Sequence, residues 1–138
     1  MSMLLDASVL LASEDPSDPQ FEAASVLVEG GTQIATLDLA YYETSNVASR
    51  VWRNPEAASR LVDLVNLIEN DGGVVRANAI LTSEAISIAS EHGITTYDAA
   101  YVAAARSVGA QLVSCDVRNL VSKGLAVLPD DVAGSVSG

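Results

Sequence analysis

The chain carries one cysteine, one histidine, one tryptophan and one lysine in 138 residues, and each scarcity closes a route. A lone Cys115 cannot form an internal disulfide, which suits a reducing compartment. It sits beside Asp116 with no histidine near it in sequence, so core packing fits it better than nucleophilic work. His92 is the only histidine, so no zinc ligand set exists and histidine acid-base schemes are disfavoured. It directly precedes Gly93, where a cation would favour a helix C-terminus. Basic residues are scarce as well: seven Lys and Arg stand against eighteen acids, for a net charge of −11. This excludes a protein that grips nucleic acid through a broad basic face, and any chemistry on phosphates must bring in a cation. No apolar run approaches the ~18 residues needed to cross a bilayer. The opening Met-Ser-Met-Leu-Leu-Asp has neither a basic region nor a long apolar core, so export is not expected and the cytoplasm is. Neither Gly30-Gly31 nor Gly72-Gly73 matches a phosphate loop or a dinucleotide fingerprint, and both read as helix stops.

A hydrophobic fraction of 49% in a chain of this length predicts one domain with a substantial core. Short apolar runs at 3–5, 33–36, 74–75, 112–115 and 125–128 read as strands. Between them lie helical patterns. Helices are predicted at 8–12, 20–28, 82–92, 95–108 and 117–122, with a long one capped by Asp38 and running to about Arg53. That helix would bury Leu39, Tyr42, Val47 and Val51. A further helix begins at Pro55, carries Leu61, Val65 and Ile68, and ends at Asp71-Gly72-Gly73. Alternating strands and helices imply right-handed crossovers and a mostly parallel sheet covered on both faces, hence a three-layer α/β domain over residues 1–128. Residues 129–138 are expected to be a disordered tail.

In such a sheet ligands bind beyond the carboxyl ends of the strands. Two strands end directly in an acid, at Leu5-Asp6 and Cys115-Asp116. Asp98 falls in the first turn of its helix and Glu43 about one turn into its own. Each has an ordinary reading: Asp6 and Asp116 as helix caps, Asp98 as the end of a capping box opened by Thr95, Glu43 as a solvated helix residue. The combination is what points to chemistry. Four carboxylates without imidazole or thiolate suit a hard ion, Mg²⁺ or Mn²⁺, and metal-assisted phosphoryl transfer.

These segments together resemble the PIN-domain family, and within it the VapC-type ribonuclease toxins of toxin-antitoxin pairs. Leu4-Leu5-Asp6-Ala7-Ser8 looks like the family's opening strand with its first acid and following hydroxyl. Tyr42-Glu43-Thr44-Ser45-Asn46-Val47 resembles the helix with the second acid, and Thr96-Tyr97-Asp98-Ala99-Ala100-Tyr101-Val102-Ala103 the helix with the third. Leu112-Val113-Ser114-Cys115-Asp116 resembles the strand with the fourth; Leu120 departs from the aromatic that many relatives carry after it.

The resemblance implies a PIN-like fold and a Mg²⁺- or Mn²⁺-dependent endoribonuclease, usually dimeric and inhibited by a cognate antitoxin. Asp6, Asp98 and Asp116 would hold the metal, Glu43 would position or activate water or a second ion, and Ser8 and Ser114 would orient the carboxylates by hydrogen bonds. Arg50 and Arg118 are candidate phosphate contacts, with solvated surface arginines as the other reading, and Trp52 is a candidate either for the dimer surface or for the core. The alternatives are a non-catalytic interaction module on the same fold and an aspartyl phosphotransfer domain. The latter would want an Asp-x-Asp motif or a late-strand lysine, whereas the chain has Asp6-Ala7-Ser8 and Lys123 in a turn.

Overall fold

A computed structural model describes residues 3–30 and 33–137. Gly31, half of the expected Gly30-Gly31 stop, lies outside the described residues, as do Met1, Ser2, Thr32 and Gly138. Four strands, β1 (Met3–Leu5), β2 (Ile34–Leu37), β3 (Val74–Val75) and β4 (Gln111–Val113), form one sheet in the order β3-β2-β1-β4. All pairings are parallel: Leu4 stands against Ala35 on one side and Leu112 on the other, and Thr36 against Val74. The chain steps outward from β1 to β2 to β3, then returns to place β4 on the far side of β1. A topological switch point therefore falls between β1 and β4, the strands that lead to Asp6 and Asp116.

The two-residue period of the strands sorts their side chains into two cores. On one face Leu4, Leu37 and Leu112 meet α5 (Ala79–His92) and α6 (Thr96–Ser107) through Leu81, Ile88 and Val102. On the other, Met3, Leu5 and Val113 meet α1 (Ala7–Ala12), α2 (Phe21–Glu29), α3 (Ala40–Asn46) and α4 (Pro55–Asn70) through Val9, Leu10, Leu27, Leu61 and Val65. Helix α6 buries Ala99, Ala103, Ala104 and Ala105, small side chains that let its axis come close to the sheet. Burial of a Leu or Val side chain contributes about 1.5–3 kcal/mol, so these two layers fix the strand ends firmly. The three-layer parallel α/β domain expected from the sequence is the one observed.

Several expectations are corrected. The long helix after Asp38 runs to Val51 as expected, but not as one α-helix: α3 ends at Asn46 and a π-helical turn continues it over Val47–Val51, closed by Trp52 N donating to Val47 O at 3.0 Å. The chain must leave helical geometry before Asn54-Pro55, and Arg53 does so with φ 52°. Asp38 caps no helix; its Oδ2 accepts the amide of Ala77 at 3.2 Å. The buried stripe of α3 and the π turn after it is Ala40, Thr44 and Ala48, while Tyr42 and Val51 are 79% and 70% exposed. Helix α5 starts at Ala79, three residues before its expected start, because Asn78 accepts Leu81 N at 2.9 Å and supplies the cap. Residues 117–122, read as a helix, are a π-helical turn over Val117–Val121. The expected last strand at 125–128 is a single parallel bridge between Val113 and Val127.

The segment read as a disordered tail carries helix α7 (Pro129–Ser137). Pro129 opens it at the position where a missing N–H costs least, and Asp131 Oδ2 accepts Leu128 N at 3.1 Å. Gln20 clamps it to the domain, donating to Asp130 Oδ2 at 3.0 Å and accepting Asp130 N at 3.1 Å. These partners lie 110 residues away in sequence, which is why local composition does not reveal them.

Gly73 is where the sheet leaves no room. A Cβ there would stand 2.4 Å from Ile34 O, on the neighbouring backbone. Gly73→Ala should therefore destabilise the fold by about 1–3 kcal/mol, the range for overpacking. Gly134→Ala, where a Cβ meets nothing within 4 Å, serves as the control in thermal unfolding. Equal melting temperatures for the two variants would refute the close approach.

Candidate active site

Asp6 leaves β1 and at once becomes the N-cap of α1. Its Oδ1 accepts Ser8 N at 3.0 Å, Val9 N at 3.3 Å and the Ser8 hydroxyl at 2.5 Å. Only 5% of the residue is exposed. Burial disfavours its charged form and outweighs the hydroxyls of Ser114 and Ser8 and the amides of Val9 and Ser8, so its pKa is pushed up from 3.8 to about 6.

Asp116 does not follow its strand directly, contrary to expectation: β4 stops at Val113, because Ser114 N turns to Val127 O, and Asp116 stands three residues beyond the strand end, where it caps the π-helical turn. Its Oδ1 accepts Asn119 N at 3.0 Å and its Oδ2 accepts Asn119 Nδ2 at 3.2 Å. The two strand ends are tied through serines. Ser8 Oγ accepts the amide of Cys115 at 2.8 Å while donating to Asp6, and Ser114 Oγ accepts the amide of Asp116 at 3.0 Å. The two hydroxyl oxygens are 3.4 Å apart. Ser8 thus holds a carboxylate, and Ser114 holds the backbone that carries one.

Asp98 lies in the first turn of α6, where its amide donates to the capping Thr95 Oγ1 at 3.0 Å. Burial, then repulsion from Asp116, raise its pKa against the opposing effect of Thr95. Glu43 approaches from α3. Burial raises its pKa first, Tyr101 lowers it, and Asp98 raises it again. The Tyr101 hydroxyl donates to Glu43 Oε1 at 2.7 Å.

Asp6, Glu43, Asp98 and Asp116 line one cavity of about 230 Å³, together with Ser8 and Tyr101, and no Lys, Arg or His lines it. The four acids proposed from sequence are therefore brought together. Arg50 and Arg118 are not in the lining; both are exposed, each within one of the π-helical turns. Trp52 packs half-buried against the core beneath α3 and α4 rather than standing out as a docking side chain. His92 closes α5 and pairs with Glu91 at 2.8 Å. Tyr101 is the site residue that sequence reasoning missed. Its place three residues after Asp98, one turn along the same helix, was the available signal.

Among the described residues no group of three or more His, Cys, Asp or Glu side chains is already gathered to hold a metal ion. The chemistry of the lining nevertheless fits one. Its donors are all hard oxygens, carboxylates that repel one another without a cation beside them, which is the donor set that Mg²⁺ or Mn²⁺ takes.

A parallel α/β sheet with acids at its switch point defines an acid-lined α/β domain, and the family model for the PIN domain matches residues 3–122. The chain belongs to the PIN-domain family. It is 34% identical over 131 residues to Ribonuclease VapC3 of Pyrobaculum aerophilum, covering 89% of this chain and 95% of that one. Among solved structures it is similar to PAE2754 from the same organism, with a TM-score of 0.72, 26% identity, and coverage of 99% of this chain and 90% of that one. A chain of a toxin-antitoxin complex from Klebsiella pneumoniae shares the fold at a TM-score of 0.68 and 15% identity, covering 93% and 98%.

The burial of Asp6 sets a pH dependence for the metal-free protein. Asp6 titrates near 3.8 when unfolded and at about 6 when folded. Across that window the folded chain holds a proton that the unfolded chain has released. The stability this contributes is fully present below pH 3.8 and is lost as pH rises through 6. In EDTA the melting temperature should fall between pH 5 and pH 7, and Asp6→Asn should shrink the fall. A melting temperature that climbs over that range would contradict the assignment.

Proposed function

We propose that the chain is a metal-dependent endoribonuclease that hydrolyses RNA phosphodiester bonds and acts as the toxin of a type II toxin-antitoxin pair. The observation that carries this is the convergence of four carboxylates from four separate segments on one small cavity with no cation in its lining. The similarity to Ribonuclease VapC3 over most of both chains supports the choice of RNA.

Asp6, Asp98 and Asp116 would hold Mg²⁺ or Mn²⁺. When bound, the ion supplies a nucleophilic water at neutral pH and a counter-charge for the leaving oxygen. Asp6 and Asp116 are fixed by their capping bonds, so they offer oxygens from set positions instead of from mobile side chains. Glu43, held by Tyr101 through Oε1, has an Oε2 with no hydrogen-bond partner among the described residues; it would orient the attacking water or accept its proton. Arg50 and Arg118 would meet RNA phosphates from outside the cavity. No ion pair or side-chain hydrogen bond engages the guanidinium of either among the described residues, whereas Arg60 pairs with Glu14, and Arg76 with Glu69.

The same reading includes a cognate antitoxin, a homodimer and a cytoplasmic location. A second copy has a fitting surface. Tyr42, Ile80 and Tyr97 are all exposed, and Tyr42 and Tyr97 border an apolar cavity of about 520 Å³ between α3, α5 and α6. A protein of net charge −11 can associate with itself only where like charges are sparse. No helix among the described residues is long and apolar enough to cross a membrane.

Asp98→Asn keeps the side chain's shape and removes its charge. RNA cleavage should fall by at least about 100-fold, more than the loss of a ligand's outer-shell partner costs, with a melting temperature no lower than the parent's, since burial and Asp116 both disfavour the charge that is removed. Near-normal cleavage by the folded variant would defeat the assignment and favour the non-catalytic module.

The charge count also makes the metal a requirement for binding. An RNA backbone approaching four ionised carboxylates on a chain of net −11 meets repulsion, and each divalent ion cancels two charges there. An uncleavable RNA analogue should bind more tightly in Mg²⁺ than in EDTA at matched ionic strength. Equal affinities would mean that another surface holds the RNA and that the metal serves the chemical step alone.

A further inference from the structure

Glu43 differs from the other three acids in how it is held. Asp6 and Asp116 grip backbone amides of the turns they begin, and Asp98 sits in the first turn of α6, its amide bonded to Thr95 Oγ1. Glu43 stands on α3, across the cavity from those segments. It has the longest of the four side chains and accepts no backbone amide among the described residues. A free glutamate loses up to about 2 kcal/mol of rotamer entropy when it is fixed, so something must fix it if it is to serve a reaction in one geometry.

Tyr101 meets that need. It is 3% exposed and belongs to the buried cluster that the sheet forms with α5 and α6. A ring locked in this way places its hydroxyl at a point set by the core, and that hydroxyl donates to Glu43 Oε1 at 2.7 Å. The bond spans 58 residues and joins α3 to α6, the two helices that bring Glu43 and Asp98 to the cavity. A buried tyrosine needs some acceptor for its hydroxyl. The acceptor it has is an acid of the candidate site, on a side chain that also lines the cavity.

We propose that Tyr101 is the positioning residue for Glu43: its hydroxyl holds one carboxylate oxygen and leaves the other for the reaction, so that the rate of RNA cleavage depends on it and RNA binding does not. The kinetic part rests on the ribonuclease reading above; the positional part stands on the geometry alone.

The test is a double-mutant cycle with Tyr101→Phe and Glu43→Gln, measured on the full chain as Mn²⁺-dependent cleavage of a single-stranded RNA. Phe keeps the ring and its packing, so Tyr101→Phe should melt close to the parent protein. Its kcat should fall about 10–100-fold, as when a ligand's supporting partner is lost, with KM unchanged. In the Glu43→Gln background the added Tyr101→Phe should change nothing further, because its effect passes through Glu43. Glu43→Asp, which keeps the charge but shortens the reach, should lose rate in the same way and covers the case in which Tyr101→Phe does not fold.

An undiminished kcat in Tyr101→Phe, or a full second loss in the Gln background, would overturn the proposal. Crystal structures give a readout independent of activity. Glu43 should leave its position in Tyr101→Phe, and an unmoved Glu43 overturns the positioning whatever the rates. If the parent protein cleaves no RNA and Glu43 still moves in the variant, the ribonuclease reading fails while the positioning holds.

Discussion

Four carboxylates in one small cavity repel one another, and the rest of the structure depends on how the fold keeps them there. Each is given a partner that it would lose on unfolding. Asp6 takes two amides and a hydroxyl, Asp116 takes Asn119, Asp98 is seated by Thr95, and Glu43 takes Tyr101. Hydrogen bonds to charged groups contribute roughly 1.5–3 kcal/mol each, enough to offset part of the desolvation that still leaves Asp6, Glu43 and Asp98 harder to ionise than usual. The sheet supplies the rest. With β1 and β4 paired in parallel, Asp6 and Asp116, 110 residues apart in sequence, emerge at one edge, and Asp6 N donates to Val113 O at 3.1 Å to hold the two segments in register.

The end of β1 was legible in the sequence because a strand that runs into an acid is a local pattern, whereas β4 stops three residues short of Asp116. Thr95 and Asp98 were legible for the same reason, since a capping residue and its third neighbour lie within one turn. What escaped was decided by distant partners. Asp38 looked like a cap and is instead drawn to Ala77 across the sheet edge. Tyr42 and Val51 looked like members of a buried stripe and are exposed, because the face turned to the core is that of Ala40, Thr44 and Ala48. The C-terminal helix α7 is held by Gln20, which nothing near Pro129 announces. Tyr101 lay inside a segment already singled out, yet its partner stands on another helix.

Both π-helical turns border the acid cavity. One begins at Val47, which lines it, and the other is capped by Asp116 itself. A π turn widens the helix and shifts the residues beyond it around the axis. Val51 and Val117 are exposed within these turns, as are Arg50 and Arg118. In a chain with seven basic residues, two arginines thus stand in the turns that adjoin the cavity, while the cavity lining itself is free of cations.

For the acids, the capping reading and the chemical reading were set against each other in the sequence, and the structure makes them complementary. A cap fixes a carboxylate through a backbone that the sheet has already placed, so the side chain needs no further freezing before it meets a ligand. The amide and hydroxyl donors around Asp6 favour its charged form, while its burial opposes that form. A group balanced in this way gains most from a cation that arrives later, because the cost of desolvation has already been met by folding. On the proposed reading, ordinary helix-capping chemistry at Asp6 and Asp116 would pre-set these acids for a divalent ion. Glu43, which has no cap, needs a side chain from the core to do for it what the backbone does for the others.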